Sequence, residues 1–279
     1  MQTIIITGGR TLQGAICPET AKNSVLPLLA ASLLCQGTVR LRAVPRLADV
    51  ETSIALLRAV GAGVQRCGSE LLLCAEKPLC GQIPAPLSGA MRSSVFYLAP
   101  LLCRTGSVRL PLPGGCRLGP RPVDIHLAGL AALGAAVELE GDAVTLRAPG
   151  GLHGADFALR LPSVGATLTL MMAACCAVGT TVLRGAACEP EVADMARFLS
   201  QCGAQIQGAG TPTLVIQGAE ALHGTAYTPM PDRIAAATYA AALACAGGEV
   251  SIARCRPAYY AAFLSFLQRC GVEIFFSAD

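Results

Sequence analysis

The sequence predicts an α/β protein built from repeats. An Ala- and Leu-rich segment, a glycine, a short β-type run, a second amphipathic segment and a second glycine recur four times along 279 residues. The first glycine occurs at positions 37, 106, 179 and 248, and the second at 61, 134, 203 and 271. Two markers that stay in phase at about 70 residues indicate a repeat architecture. Helices that alternate with short β runs favour an α/β fold.

Each copy predicts the same elements in the same order, because Ala and Leu favour helices and a glycine accepts the left-handed conformation that ends them. The predicted helices are 26–35 and 50–60 in the first copy, 95–103 and 123–133 in the second, 167–178 and 192–202 in the third, and 235–246 and 259–270 in the fourth. The predicted β runs are 37–41, 106–110, 179–183 and 248–252, and then the runs that start at 61, 134, 203 and 271. A further strand closes three copies, at 70–74, 143–147 and 213–216.

Two segments predict a division into two lobes. Residues 221–232 contain Gly224, Pro229 and Pro231 and are the predicted boundary, and residues 11–22 are the predicted second crossing. This arrangement assigns 22–229 to a complete lobe of three repeats. Residues 1–21 and 230–279 form a partial second lobe, in which a first strand at 2–7 joins the fourth repeat. The fourth copy reaches Asp279 before a closing strand.

Composition excludes several classes of protein. The chain is 53% hydrophobic with 14% charged residues and a net charge of +3, which is too weak and dispersed for a nucleic-acid surface. Fourteen cysteines form no CxxC pair and no secretory leader is evident, so we expect a reducing cytoplasm and free thiols that serve mostly as small core residues. The three histidines are not at metal-ligand spacing, which predicts no metal site.

Residues 161–183 carry no formal charge over 23 positions, a length that can span a bilayer. The segment contains Pro162, Gly165 and Gly179, however. A buried helix followed by a strand fits these residues better than a membrane span.

The loop at 112–126 is the strongest candidate for chemistry. It places Cys116 among glycines and prolines, with Arg117 and Arg121 close by in sequence. Positive charge favours the thiolate, and guanidinium groups suit a phosphorylated substrate. The alternative is one more surface thiol.

Seven short motifs in a fixed order resemble the UDP-N-acetylglucosamine 1-carboxyvinyltransferases of the enolpyruvyl transferase family. The motifs are Leu12-Gln13-Gly14, Lys22-Asn23, Met91-Arg92, the loop 113–126, Ser163-Val164-Gly165-Ala166-Thr167, Glu189-Pro190-Glu191 and Pro231-Asp232-Arg233-Ile234. The resemblance implies two lobes, each an inside-out α/β barrel of three repeats with its helices inside, and a substrate cleft between them. Six repeats are expected, so about two are missing here, together with the family's aspartate that acts on the sugar hydroxyl.

The resemblance implies transfer of the enolpyruvyl group from phosphoenolpyruvate to the 3′-hydroxyl of UDP-N-acetylglucosamine, without a cofactor. This is the first committed step of peptidoglycan precursor synthesis, in the cytoplasm, and it serves cell-wall biogenesis, cell shape and cell division. Small-molecule substrates are the implied partners, while the oligomeric state stays open. Two alternatives remain: a catalytically inactive, truncated UDP-sugar-binding fragment, and the 3-phosphoshikimate 1-carboxyvinyltransferase, whose usual Lys-Ser pair is Lys22-Asn23 here.

The resemblance also implies the site residues. Cys116 supplies a proton to phosphoenolpyruvate, and Lys22 and Asn23 bind substrate oxygens. The implied nucleotide contacts are Arg92, Arg121, Pro122, Val123, Asp124, Ile125, Ser163, Val164 and Gly165. Leu161 stands where the family often has a lysine, with Arg160 beside it.

Each of these residues also has a simpler interpretation. Lys22 would be a solvated helix start and Arg92 a surface arginine. Asn23 and Ser163 would be helix N-caps, while Pro122 and Asp124 would favour a first helical turn. Simple structural roles are also predicted for the remaining candidates: Glu189 and Glu191 cap a helix from Val192, Asp232 and Arg233 form an inter-lobe ion pair, and His126 orders the loop.

Overall fold

The computed structural model describes residues 5, 7–111 and 123–276. The helices are α1 (Lys22–Ala31), α2 (Ala48–Ala59), α3 (Ala85–Ala90), α4 (Leu98–Thr105), α5 (Asp124–Ala132), α6 (Val164–Cys176), α7 (Pro190–Gln201), α8 (Arg233–Ala246) and α9 (Ala261–Arg269). The strands are β1 (Leu12–Ile16), β2 (Cys35–Gln36), β3 (Thr38–Leu41), β4 (Gly63–Cys67), β5 (Glu70–Cys74), β6 (Ser107–Pro111), β7 (Ala136–Glu140), β8 (Ala143–Arg147), β9 (Asp156–Ala158), β10 (Thr180–Arg184), β11 (Gln205–Gln207), β12 (Thr213–Gln217), β13 (Leu222–His223), β14 (Ala226–Tyr227) and β15 (Gly248–Ile252). Short 3₁₀ segments occupy Ser32–Leu34, Arg92–Tyr97 and Pro257–Tyr259.

The chain divides into two compact units. One is Lys22–Met230, and the other combines Met1–Ala21 with Pro231–Asp279. The larger unit contains three repeats, and in each of them three strands pair in antiparallel fashion around a hairpin: β3-β5-β4, β6-β8-β7 and β10-β12-β11. The repeating elements predicted from the glycine spacing are therefore present, and the α/β prediction is confirmed.

Helices form the interior of the larger unit and sheets form its surface. All residues of α1 from Ser24 to Ala31 are buried, and so are those of α6 from Ala166 to Cys175. The strands alternate instead: β3 buries Val39 and Leu41 and exposes Thr38 and Arg40. One face of each sheet therefore covers the helices while the other faces solvent.

Short parallel strands join each repeat to the next. Gln82 pairs with Arg109 of the second repeat, and β9 pairs with β10 of the third. After the third repeat, β13 pairs with β2 and β14 pairs with β3 of the first. The last segment of the unit thus returns to its first repeat, which closes the three repeats into a ring.

In the smaller unit, β1 pairs in parallel with β15, from Leu12 opposite Gly248 to Ile16 opposite Ile252. The sequence predicted the first strand at 2–7, and this was wrong for the described residues Ile5 and Thr7, which are not in a strand. All five residues of β15 pair with residues 12–16, which lie within the predicted crossing segment, so β15 offers no pairing to the residues before them. The residues that follow approach the fourth repeat as well, because the Asp232 N–H donates to the Glu19 carbonyl at 2.8 Å.

Other boundaries differ from the predictions. The run predicted from 271 is not a strand over 272–276, because in the other three repeats this run pairs with a closing strand, and none follows among the described residues. The segment predicted as the lobe boundary contains β13 and β14. No helix in the described ranges is long and apolar enough to cross a membrane, and residues 161–183 form α6 and part of β10.

The thirteen described cysteines are free thiols, as expected. The prediction that most of them serve as core residues was wrong, because only Cys35, Cys175 and Cys202 are buried. Six others are exposed: Cys17, Cys67, Cys80, Cys188, Cys245 and Cys270. They occupy strand ends, turns and the surface of the smaller unit, where a small side chain is accepted without full burial.

Candidate functional site

The predicted binding residues lie at helix starts that are equivalent in the three repeats. Lys22 begins α1, Arg92 begins the 3₁₀ turn that leads into α4, and Val164 begins α6. These positions are separated by 70 and 72 residues. The N–H groups of a helix's first turn have no partner within the helix and carry partial positive charge. Equivalent helix starts therefore suit an anionic ligand.

Lys22 is held by an ion pair at the start of the first repeat. Its Nζ lies 2.9 Å from Asp49 Oδ2, in the first turn of α2, and both side chains are partly exposed. The ammonium group is thus positioned and still reachable by solvent. Asn23 is the second residue of α1, so its interpretation as an N-cap was wrong.

A buried carboxylate that sequence analysis missed lies beside this helix. Asp194 of α7 is 1% exposed. It accepts hydrogen bonds from the Ser24 hydroxyl, the Arg197 guanidinium at 2.7 Å, the Tyr227 hydroxyl at 2.7 Å and the Met230 N–H at 3.2 Å. Asp194 therefore ties α1 to α7 and to the closing segment of the ring. The sequence did contain a sign of this residue: Asp194 lies on an apolar helix face, next to Met195 and one turn from Phe198.

The starts of α5 and α6 come together in the structure. Asp124 in the first turn of α5 accepts from Arg160 Nη2 at 2.6 Å, across 36 residues of sequence. This hydrogen bond and the positive charge of Arg160 lower the pKa of the Asp124 carboxyl. Val123 occupies the N-cap position of α5, and Ile125 is buried. Arg160 lies four residues before Val164, so the ion pair joins the approaches to the two helices.

His126 lies between these two helix starts and is 5% exposed. Burial, and then the positive charge of Arg92, lower the pKa of His126 to about 4. The ring is therefore neutral at pH 7. Both ring nitrogens lack a hydrogen-bond partner in the described part of the structure. A Cβ atom on Gly165 would lie 2.9 Å from Nε2, so the imidazole occupies space that only a glycine at 165 leaves open.

Ser163 is the N-cap of α6, as its simpler interpretation predicted. Its hydroxyl oxygen accepts from the Ala166 N–H at 3.3 Å, and its carbonyl accepts from the Thr167 N–H at 2.9 Å. The N–H groups of Val164 and Gly165, the first two residues of α6, have no intrahelical acceptor. The predicted residues Asp124, Ile125, Ser163, Val164 and Gly165 are thus gathered at one place, with Arg92 close enough to act on His126.

Three of the predicted residues lie outside the described part of the chain: Cys116, Arg121 and Pro122. They belong to the segment between β6, which ends at Pro111, and α5, which begins at Asp124. Within the described ranges, no three His, Cys, Asp or Glu side chains are placed to hold a metal ion.

The acidic residues at the start of α7 differ from their predicted capping role. Glu189 occupies the N-cap position of α7 without a side-chain capping bond, and Glu191 is buried. The helix begins at Pro190, and the missing N–H of proline costs nothing at this position because a first-turn N–H has no acceptor within the helix. Asp232 Oδ1 caps α8 by accepting from Ile234 and Ala235 N–H at 2.8 and 3.0 Å, and the inter-lobe ion pair of Asp232 and Arg233 stays a prediction.

Residues 6–276 match the family described as EPSP synthase (3-phosphoshikimate 1-carboxyvinyltransferase). The chain belongs to the EPSP synthase family. Two relatives named UDP-N-acetylglucosamine 1-carboxyvinyltransferase are each 44% identical to this chain. The one from Caulobacter sp. strain K31 aligns with 100% of the chain, and the one from Acidiphilium cryptum with 98%. The chain spans 66% of the length of each.

Solved structures of two transferases share the fold. The enolpyruvyl transferase NikO from Streptomyces tendae is 27% identical with a TM-score of 0.84, over 98% of this chain and 65% of its own. EPSP synthase from Acinetobacter baumannii is 17% identical with a TM-score of 0.70, over 88% of this chain and 56% of its own. The second likeness concerns the fold alone.

Proposed function

We propose that this chain carries the enolpyruvyl transfer from phosphoenolpyruvate to the 3′-hydroxyl of UDP-N-acetylglucosamine. The observation that supports it most is 44% identity along the whole chain to relatives that carry this activity in their name. The reaction would supply the first committed precursor of peptidoglycan, in the cytoplasm, and would serve cell-wall biogenesis, cell shape and cell division.

The chemistry is an addition followed by an elimination. A proton adds to the methylene carbon of phosphoenolpyruvate, and the sugar 3′-oxygen bonds to the second carbon as its own proton leaves. The methyl group that was formed then returns a proton, the C–O bond to phosphate breaks, and the double bond forms again. Neither redox chemistry nor a cofactor is required, because positioned acids and cations suffice.

Cys116 is the proposed proton donor to the methylene carbon. Lys22 is proposed to bind the carboxylate or phosphate of phosphoenolpyruvate, and its partial exposure beside Asp49 is compatible with an exchange of ion-pair partners. Asn23 would hydrogen-bond substrate oxygens.

The sugar nucleotide would lie at the starts of α5 and α6. The proposed uridine and diphosphate contacts are Arg92, Arg121, Pro122, Val123, Asp124, Ile125, Ser163, Val164 and Gly165. The start of α6 supports this part of the proposal, because the amides of Val164 and Gly165 have no intrahelical acceptor and free amides at a helix start favour diphosphate oxygens.

Phosphate release tests the proposal. The purified chain is mixed with both substrates, and the same assay is run on Cys116→Ala and on Cys67→Ala, a matched control on an exposed thiol of β4. We expect release by the parent and by Cys67→Ala and none by Cys116→Ala. Tight UDP-sugar binding without release would identify a binding fragment, an outcome motivated by the 66% coverage of the relatives. Release only with shikimate 3-phosphate would identify the other transferase.

A further inference from the structure

A cysteine stands at the end of the first helical segment in each of the three repeats of the larger unit. Cys35 follows the 3₁₀ segment after α1, Cys103 lies in the last turn of α4, and Cys176 is the last residue of α6. The ring brings these helix ends together, because α4 packs against both α6 and the 3₁₀ segment after α1. The proposed reaction uses none of these thiols.

Two of these cysteines form a hydrogen-bonded pair. The thiols of Cys103 and Cys176 hydrogen-bond to each other across the contact of α4 with α6, although they are 73 positions apart in sequence. A disulfide bond is about 2 Å long, so the two sulfur atoms have only to close a hydrogen-bonding distance. Both side chains are partly exposed, and a small oxidant can therefore reach them.

The guanidinium of Arg104 places positive charge beside this pair. It is fixed in position because it donates to the Leu33 carbonyl at 2.5 Å and to the Ala75 carbonyl at 2.7 Å. The hydrogen bond with Cys103, and then the charge of Arg104 against the effect of burial, lower the pKa of Cys176. The same hydrogen bond and burial raise the pKa of Cys103. Cys176 is thus the more acidic member of the pair, and the thiolate is the nucleophilic form of a cysteine.

A second pair of thiols differs in both respects. Cys35 and Cys202 also hydrogen-bond to each other, but both side chains are fully buried. Their hydrogen bond and burial raise the pKa of Cys35. Buried, protonated thiols are inert, so this pair should stay reduced where the first pair reacts.

We propose that Cys103 and Cys176 are a modification site, at which hydrogen peroxide forms a reversible disulfide between α4 and α6. The Cys176 thiolate attacks one peroxide oxygen, the O–O bond breaks, and hydroxide leaves a sulfenic acid on the sulfur. The Cys103 sulfur then attacks the sulfenic sulfur, the S–O bond breaks and the S–S bond forms. The two thiol protons end on the two departing oxygens, so two thiols are oxidised while one peroxide is reduced to two waters. Dithiothreitol would reverse the bond by thiol–disulfide exchange.

Peptide mapping by mass spectrometry tests the site. The folded, reduced chain is treated with hydrogen peroxide at high dilution, its remaining thiols are alkylated, and it is digested with trypsin. We expect a peptide pair joined through Cys103 and Cys176 that disappears after dithiothreitol, with Cys35 and Cys202 recovered as alkylated thiols. Because the bond closes a long loop, the oxidised chain should also unfold at a higher temperature than the reduced chain.

Three variants identify the partners, since Cys175 and Cys176 share a tryptic peptide. Cys175→Ala is the matched control, because it removes the neighbouring buried thiol, and it should keep the crosslink. Cys176→Ala should lose the crosslink. Cys103→Ala should lose it as well and should leave a sulfenic acid on Cys176, which dimedone labels.

Three results would overturn the inference. The first is a folded parent chain without the crosslink at a peroxide dose that oxidises the exposed Cys67, a measurement that needs no variant to fold. The second is a crosslink that persists in Cys176→Ala. The third is a crosslink that forms only in urea, because native packing would then not bring the two sulfur atoms together. None of these results would affect the proposed enolpyruvyl transfer.

Discussion

We expect His126 to make the stability of the protein depend on pH. Its pKa is lowered to about 4 by burial and by Arg92, while the nearby Asp124 acts in the opposite direction. An unfolded histidine titrates near 6.5, so below that pH the unfolded chain binds a proton that the folded chain does not. Stability should therefore fall as the pH decreases from 6.5 to about 4, by about 3 kcal/mol in total, and this contribution should level off below pH 4.

Urea unfolding between pH 4 and pH 7 measures this contribution. His126→Leu and His126→Gln should both lose the histidine component of the pH dependence, and two variants are used in case one of them folds poorly. His153→Gln is the control for replacement of a histidine, because His153 is exposed. The same slope in the parent and in both His126 variants would show that His126 does not titrate in this way.

At the scale of elements, the contact between α5 and α6 depends on glycines. A Cβ atom on Gly129 would lie 2.9 Å from Leu170 Cγ and closer still to its methyl groups. Gly129→Ala should therefore overpack this contact and cost about 1–3 kcal/mol of unfolding free energy. A Cβ atom on Gly89, in α3, would meet nothing within 4 Å, so Gly89→Ala should be neutral or stabilise the protein by up to about 1 kcal/mol.

A double-mutant cycle separates overpacking from a backbone effect. Leu170→Ala removes the side chain that the methyl group of Gly129→Ala would meet, so the two substitutions together should cost less than the sum of their separate effects. Denaturant unfolding of the four proteins gives the coupling free energy. Strict additivity would mean that Gly129 matters for its backbone conformation and not for the close approach of the two helices.

Sequence analysis predicted those elements whose signal is local. The strands at 70–74, 143–147 and 248–252 occur with the predicted bounds, because each is a short β-type run that directly follows a turn. Ser163 was recognisable as an N-cap because it stands directly before an apolar helix. These features depend on neighbours in sequence, which is the information that a single sequence carries.

Features that depend on distant partners were missed. β13 and β14 have two residues each and form because they pair with β2 and β3, so no local sequence pattern predicts them. The Asp124–Arg160 bond joins residues 36 positions apart, and the Ser24–Asp194 bond joins residues 170 apart. The position of β1 was also determined by its partner, β15, and not by the β-branched run that precedes it.

At the scale of the whole molecule, the two units differ in how far their helices are buried. In α1 the eight residues from Ser24 onward are buried, whereas in α8, which occupies the same place in the fourth repeat, only Ala236 is buried. Buried helix amides exchange their hydrogens through larger openings than exposed ones. Hydrogen exchange should therefore be slower in α1 and α6 than in α8, and equal protection would show that the two units open together.

Closure of the ring by residues 221–230 should allow the larger unit to fold on its own. Residues 221–230 contribute two strands that pair with the first repeat, and Tyr227 and Met230 donate two of the hydrogen bonds that Asp194 accepts. A fragment of residues 22–230 should therefore unfold in one cooperative transition, because its core and its pairings are complete. A fragment of residues 22–220 should lose cooperativity, since it leaves β2 and β3 with open edges and a buried carboxylate short of donors. Circular dichroism and urea unfolding compare the cooperativity of the two fragments. Tyr227→Phe in the longer fragment removes only the hydroxyl group that donates to Asp194 and serves as a smaller change. Equal cooperativity of the two fragments would mean that the first and third repeats do not depend on each other for their stability.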